Sequence, residues 1–167
     1  LRAEDIIYDY AQNIGHEIES IEAKPSFGNI IVWKVIYSTA DKYYINAIRL
    51  SLDYKIYPGE SIEKLDISKS FPWLNMNSQQ AKDIEKFRWF SNGYLGVAKN
   101  NNNIIYDVRF STIPNQAEGL WGIKLDKKKN DFEHIEYITN RKRDMDRFNI
   151  LIDMIIGTHE NQKIHQN

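Results

Sequence analysis

The sequence predicts an α+β domain: an antiparallel sheet of about six or seven strands packed against two or three helices. Three observations carry that expectation. Residues 30–38 and 42–51 are apolar-rich strand segments separated only by Thr39-Ala40-Asp41, the pattern of an antiparallel hairpin. Residues 3–14, 78–88 and 141–156 place apolar side chains at helical spacing. The chain has 167 residues, of which 42% are hydrophobic, enough to fill a single core.

Taken in order, the first helix is expected over 3–14, with Ile6, Tyr10 and Ile14 on one face, Ile7 and Ala11 beside them, and Gly15 as its stop. EIESIEA at 17–23 reads as a short edge strand, and Pro25 to Gly28 as a turn. In the strand at 30–38, Ile31, Trp33, Val35 and Tyr37 point one way and Ile30, Val32, Lys34 and Ile36 the other, so both faces are covered. DYKIY at 53–57 extends the sheet before Pro58-Gly59 turns the chain. Residues 60–77 carry no clear period, and SFPWLNMN reads as a packed loop. Asn77 or Ser78 caps the helix at 78–88, which carries Ala81, Ile84, Phe87 and Arg88 along one side; Asn92-Gly93 breaks it. Strands follow at 94–98, 104–111, 119–125 and 132–138. The last helix, 141–156, carries a stripe of Met145, Phe148, Ile152, Ile155 and Ile156 and should dock on the sheet or on a partner.

Composition excludes several functions. Twenty-two Lys and Arg against 23 Asp and Glu leave a net charge of −1, so no nucleic-acid partner held by counterion release is expected. No stretch reaches the ~18 apolar residues of a membrane span. With no cysteine, a disulfide scaffold, a thiolate zinc site and a cysteine nucleophile are excluded. The glycine-rich phosphate loops, the G-x-S-x-G elbow and H-E-x-x-H are absent. His134 and Glu136 would share a strand face but lack a third ligand nearby. Asp144 and Asp146 lie two apart on a helix and do not face each other.

Two features retain functional interest. Asp107 and Arg109 share one strand face and could bracket a polar ligand, or simply join a surface charge ladder. Phe87, Trp89 and Phe90, with Arg88 among them and Tyr94 beyond, could stack on a ligand, although packing at a helix-to-strand corner is the simpler reading.

Three stretches then stand out in order: KPSFGNIIVWKV at 24–35, EKFRWFSNGYLGV at 85–97 and IYDVRFSTIP at 105–114. Together they resemble the soluble C-terminal part of the bacterial inner-membrane metal-dependent hydrolase family (YdjM-like). Asn29 and Trp33 match the family's early strand. Arg88, Trp89, Phe90, Ser91 and Gly93 match its helix-to-strand corner, and Asp107, Arg109 and Phe110 its late strand. The turn departs from the family pattern, reading Lys-Pro-Ser-Phe-Gly with an additional Gly28. The resemblance spans roughly residues 24–125. It does not reach the membrane-embedded N-terminal region that carries the family's metal ligands, so no catalytic, cofactor or metal residue transfers to this chain.

The resemblance implies a fragment without catalytic residues of its own: residues 1–15 a helix leading from a preceding membrane segment, 16–157 a soluble domain, and 158–167 a flexible tail. Residue 1 is Leu, and the opening lacks a signal peptide's apolar region, which agrees with a chain cut from a longer inner-membrane protein. Any divalent metal would sit in that membrane region. The expected role is an accessory domain with a ligand or partner surface at Arg88, Trp89, Tyr94, Asp107 and Arg109. The alternatives are a small-ligand module centred on Asp107 and Arg109, or a protein-interaction or homodimerisation module using the 141–156 helix.

Overall fold

A computed structural model describes residues 2–26, 28–140 and 145–160. Helix α1 (Arg2–Asn13) is followed by β1 (Ser20–Pro25), β2 (Val32–Ser38), β3 (Lys42–Leu50), β4 (Tyr54–Tyr57) and β5 (Ser61–Lys64). A single turn α2 (Ile67–Ser70) and helix α3 (Gln79–Phe90) come next. Then follow β6 (Leu95–Val97), β7 (Ile104–Asp107), β8 (Trp121–Lys124), β9 (Glu136–Thr139) and helix α4 (Met145–Ile156). The α+β class is as expected. The sheet has nine strands, more than the six or seven expected, and every pairing is antiparallel, in the order β1-β2-β3-β5-β6-β7-β8-β9 with β4 also on β3.

The additional strands come from one long strand serving two short ones. β3 pairs β4 through Ala47–Leu50 and β5 through Lys42–Tyr44, with Pro58-Gly59-Glu60 between the two partners. A Cβ on Gly59 would fall on the backbone oxygens of Asn115 and Ile45, so only glycine admits this close crossing. Segment 61–64 is too short to announce itself by alternation, and its pairing to β3 and β6 comes from tertiary context.

Cross-strand partners share a face, so the register sorts the core. One face carries Val35, Tyr37, Ile48, Leu95, Ile105 and Ile123. Helix α1 buries Ala3, Ile7 and Ala11 against its first half, and α3 buries Ala81, Ile84 and Phe87 against its second. The opposite face carries Val32, Ile36, Ile45, Ala47 and Ile62. It is covered by α4 and by a strap, residues 108–118, which contributes Val108, Ile113 and Ala117. Thus α4 lies across the sheet from α3, not beside it.

Both end helices are rotated from their sequence reading. In α1 the buried stripe is Ala3-Ile7-Ala11, while Ile14 is exposed. In α4 the buried residues are Leu151 and Met154, flanked by Ile150 and Ile155; Met145, Phe148 and Ile156 face outward. The sequence contains apolar residues on two sides of α4, and periodicity alone does not say which side docks. The expected start of this helix at 141 lies outside the described residues. So does most of the tail, but its first residues are held: Lys55 Nζ donates to the carbonyl of His159 at 2.6 Å, and the His159 ring meets Tyr57 edge-on. The packed-loop reading of 70–77 agrees with burial of Phe71 and Leu74.

Candidate functional site

β7 is shorter than expected. It ends at Asp107, where Arg109 N–H donates to Asp107 Oδ1 and turns the chain into the strap. Asp107 therefore does not sit on an open strand face: it is 0% exposed, on the α3 side of the sheet. Arg109 grips it with Nε at 3.0 Å and Nη2 at 2.7 Å, and Nη2 also donates to the carbonyl of Phe90 at the end of α3. The carboxylate's hydrogen bonds hold the Arg109 pKa above its ordinary value despite partial burial. The two groups of the expected ligand bracket are thus spent on each other and on the helix end. They tie β7, α3 and the strap together.

The corner of α3 departs from the packing reading. Ser78 caps the helix by accepting the Ala81 N–H, and Asn92 and Gly93, both in the left-handed region, end it. Phe87 is buried, but Trp89 is 86% exposed and Phe90 is 52% exposed. Phe90 meets Trp121 of β8 edge-on, with ring centres 6.2 Å apart, and Trp121 meets Phe110 at 5.5 Å. Phe110 carries Lys24 and Arg109 over its ring. An aromatic ridge therefore runs from the end of α3 to the start of the strap. Arg88 pairs with Glu85 at 3.2 Å and borders an apolar cleft of about 770 Å³ with Phe71, Leu74 and Met76. Tyr94 turns inward and stacks on Tyr43; burial, then its hydrogen bond to Glu22, pushes its pKa up to about 12. Of the five residues expected at one surface, Trp89 is open, Arg88 and Arg109 are held in ion pairs, Tyr94 is stacked inward and Asp107 is buried.

Sequence reasoning passed over Lys34. This lysine on β2 is 5% exposed, donating to Ser111 Oγ at 2.7 Å and to the Gln116 carbonyl at 3.2 Å. Burial lowers its pKa to about 7, opposed by the charges of Asp107 and Glu60. The signal was present: Lys34 is the one charged residue in an otherwise apolar strand. Its Nζ fastens the strap to the sheet through these two hydrogen bonds. Glu60 fastens the other end by accepting the Ala117 N–H at 2.8 Å.

The strap in turn walls a cleft of about 490 Å³ on the α4 side of the sheet, between the 98–101 connection, Glu60 and Arg147 of α4. Ile104 and Tyr106 of β7 form part of its floor. Across the molecule, His134 lies outside β9 and meets Asp83 at 2.8 Å. Burial would raise the Asp83 pKa, but hydrogen bonds from Gln79, His134 and the Ile135 N–H bring it below the usual value. Among the described residues no three His, Asp or Glu side chains gather as a metal site, and no helix is long and apolar enough to cross a membrane. Comparison with protein-family models, curated proteins and solved structures gives no match.

Proposed function

We propose that this chain is a non-catalytic accessory domain of a membrane-bound hydrolase of the resembled kind, and that it engages the rest of that protein through its aromatic ridge. One observation carries the reading: Trp89 stands almost fully in solvent, next in sequence to Phe90, from which ring contacts run through Trp121 to Phe110. Exposed tryptophan and phenylalanine beside cations are the residue types that anchor interfaces. The charged side chains best suited to chemistry, Asp107, Arg109 and Asp83, are engaged in holding elements together. A photo-crosslinker placed at position 89 of the full-length protein should join this domain to the membrane region. The same probe at Leu52, which is 100% exposed, should not. Equal labelling from both positions would overturn the interface. Metal-dependent hydrolysis of a phosphoester, amide or ester by the chain alone, lost on Asp107→Asn, would overturn the accessory role.

A second reading, homodimerisation through α4, is favoured by its outward stripe. Met145, Phe148 and Ile156 are 67%, 53% and 62% exposed on the side away from the buried Leu151 and Met154. Light scattering should then give a mass that rises with concentration and reverts to monomer in Phe148→Asp. A strict monomer at every concentration removes this reading.

A further inference from the structure

The geometry points to a binding site for a short neutral saccharide in the cleft between the strap and the 98–101 connection, with Tyr106 as the platform on which a sugar ring stacks. This inference is independent of the accessory role, since the cleft lies on the opposite side of the sheet from α3.

The argument starts from register. Tyr106 is the one β7 residue whose partners on both sides are glycines, Gly96 on β6 and Gly122 on β8. A Cβ on Gly122 would lie 2.8 Å from Tyr106 Cδ1 and 3.1 Å from Cε1, so the ring lies across that glycine. The same side chain packs against the Ile62, Val108 and Ala117 cluster and lines a cleft of about 490 Å³, inside the ~300–1,000 Å³ of small-molecule sites. A second cleft of about 360 Å³ shares Glu60, Lys99 and Gln116 with it, which extends the site lengthwise.

Four polar groups of this cleft are uncommitted. Among the described residues, the Tyr106 hydroxyl, the Lys99 ammonium and the side-chain amides of Asn100 and Gln116 make no hydrogen bond or ion pair. The amides each offer donors and an acceptor, which is what a hydroxyl, itself donor and acceptor, requires. The charges of the rim balance: Glu118 pairs with Arg147 at 2.6 Å, and Glu60 and Lys99 add one charge of each sign. A balanced rim does not select an anion, so an uncharged polyol with a flat apolar ring face fits better than a phosphate or a carboxylate. The backbone of the wall is fixed in advance by Lys34 on the Gln116 carbonyl and by Glu60 on the Ala117 N–H, so the site needs little ordering on binding.

The test is a ¹⁵N-resolved NMR titration of the whole chain with cellobiose, maltose and chitobiose, and separately with adenosine and glucuronic acid. At least one neutral disaccharide should give saturable shifts confined to residues 98–106 and 115–118. Tyr106→Ala should weaken that binding at least tenfold and Tyr106→Phe by no more than a few fold. Asn100→Ala, on the exposed rim, and Gln116→Ala, whose side-chain amide makes no hydrogen bond, should weaken it severalfold with an unchanged melting temperature, which keeps the test open if Tyr106→Ala fails to fold. No saturable shift with any of the three disaccharides overturns the assignment. So does binding indifferent to Tyr106 and Gln116, or tighter binding of adenosine or glucuronic acid at the same residues.

Discussion

Two ion pairs near the end of α3 show what burial does to a charge. Arg88 and Glu85 meet at 3.2 Å on the solvent side of α3, with side chains 34% and 56% exposed. Arg109 and Asp107 meet at 2.7 Å, with side chains 15% and 0% exposed. The first pair is screened by water and is expected to be worth ~0–1 kcal/mol. Removing one partner of the second leaves a desolvated charge without its counterion, which destabilises by ~3–5 kcal/mol. Urea unfolding should therefore separate Glu85→Ala, with little change, from Asp107→Ala, with a large loss. If the two variants lose similar stability, Asp107 is not the staple described. The carboxylate also accepts the Arg109 N–H that starts the strap, so Asp107→Asn should lie between the two.

At the scale of elements, the strap depends on a glycine it does not contain. Gly59 lets β4 give way to β5 directly beneath Asn115, and Glu60 N–H donates to the Asn115 carbonyl at 3.0 Å. Gly59→Ala must push the strap outward or bend β3. It should lose at least the ~1–3 kcal/mol of an overpacked site and raise amide exchange at 113–117 before elsewhere. A variant as stable as wild type would show that the strap moves freely there. This crossing was not legible in the sequence, where Pro58-Gly59 read as an ordinary turn. The β2–β3 hairpin was legible, and for β2 also which side chains share a face, because alternation over seven or more residues is a strong local signal. The α3 cap and the packed 70–77 loop were legible for the same local reason. Short strands such as β5 and the true end of β7 were not, since partners distant in sequence set them. For the candidate site, Asp107 and Arg109 were visible as a pair but their burial was not. Tyr106 gave no sign of its role, because its two glycine partners lie on other strands.

At the scale of the whole molecule, buried titratable groups set a pH profile with an unusual rise above neutrality. Lys34 has a folded-state pKa lowered by burial from 10.5 to about 7. Between those values the unfolded chain binds more protons than the folded one, so stability grows as pH rises through that window and falls back as pH drops toward 7. Tyrosines act in the opposite sense at higher pH. Burial raises the pKa of Tyr37, Tyr43 and Tyr57, and that of Tyr94 to about 12. Above pH ~10 the unfolded tyrosines ionise while the folded ones stay protonated, so stability declines. On the acid side Asp83, held below its ordinary value, contributes stability that is lost as pH falls through the carboxylate range. The melting temperature should therefore climb from pH ~7 to a maximum near pH ~9–10 and fall on either side of it, in place of the usual plateau between pH ~5 and 8. Lys34→Met removes the group responsible and should flatten the profile between pH ~7 and 9 while leaving the alkaline decline intact. A wild-type profile already flat over that range would mean that Lys34 keeps its charge at pH 9, with the Ser111 and Gln116 hydrogen bonds and the fields of Asp107 and Glu60 offsetting its burial in full.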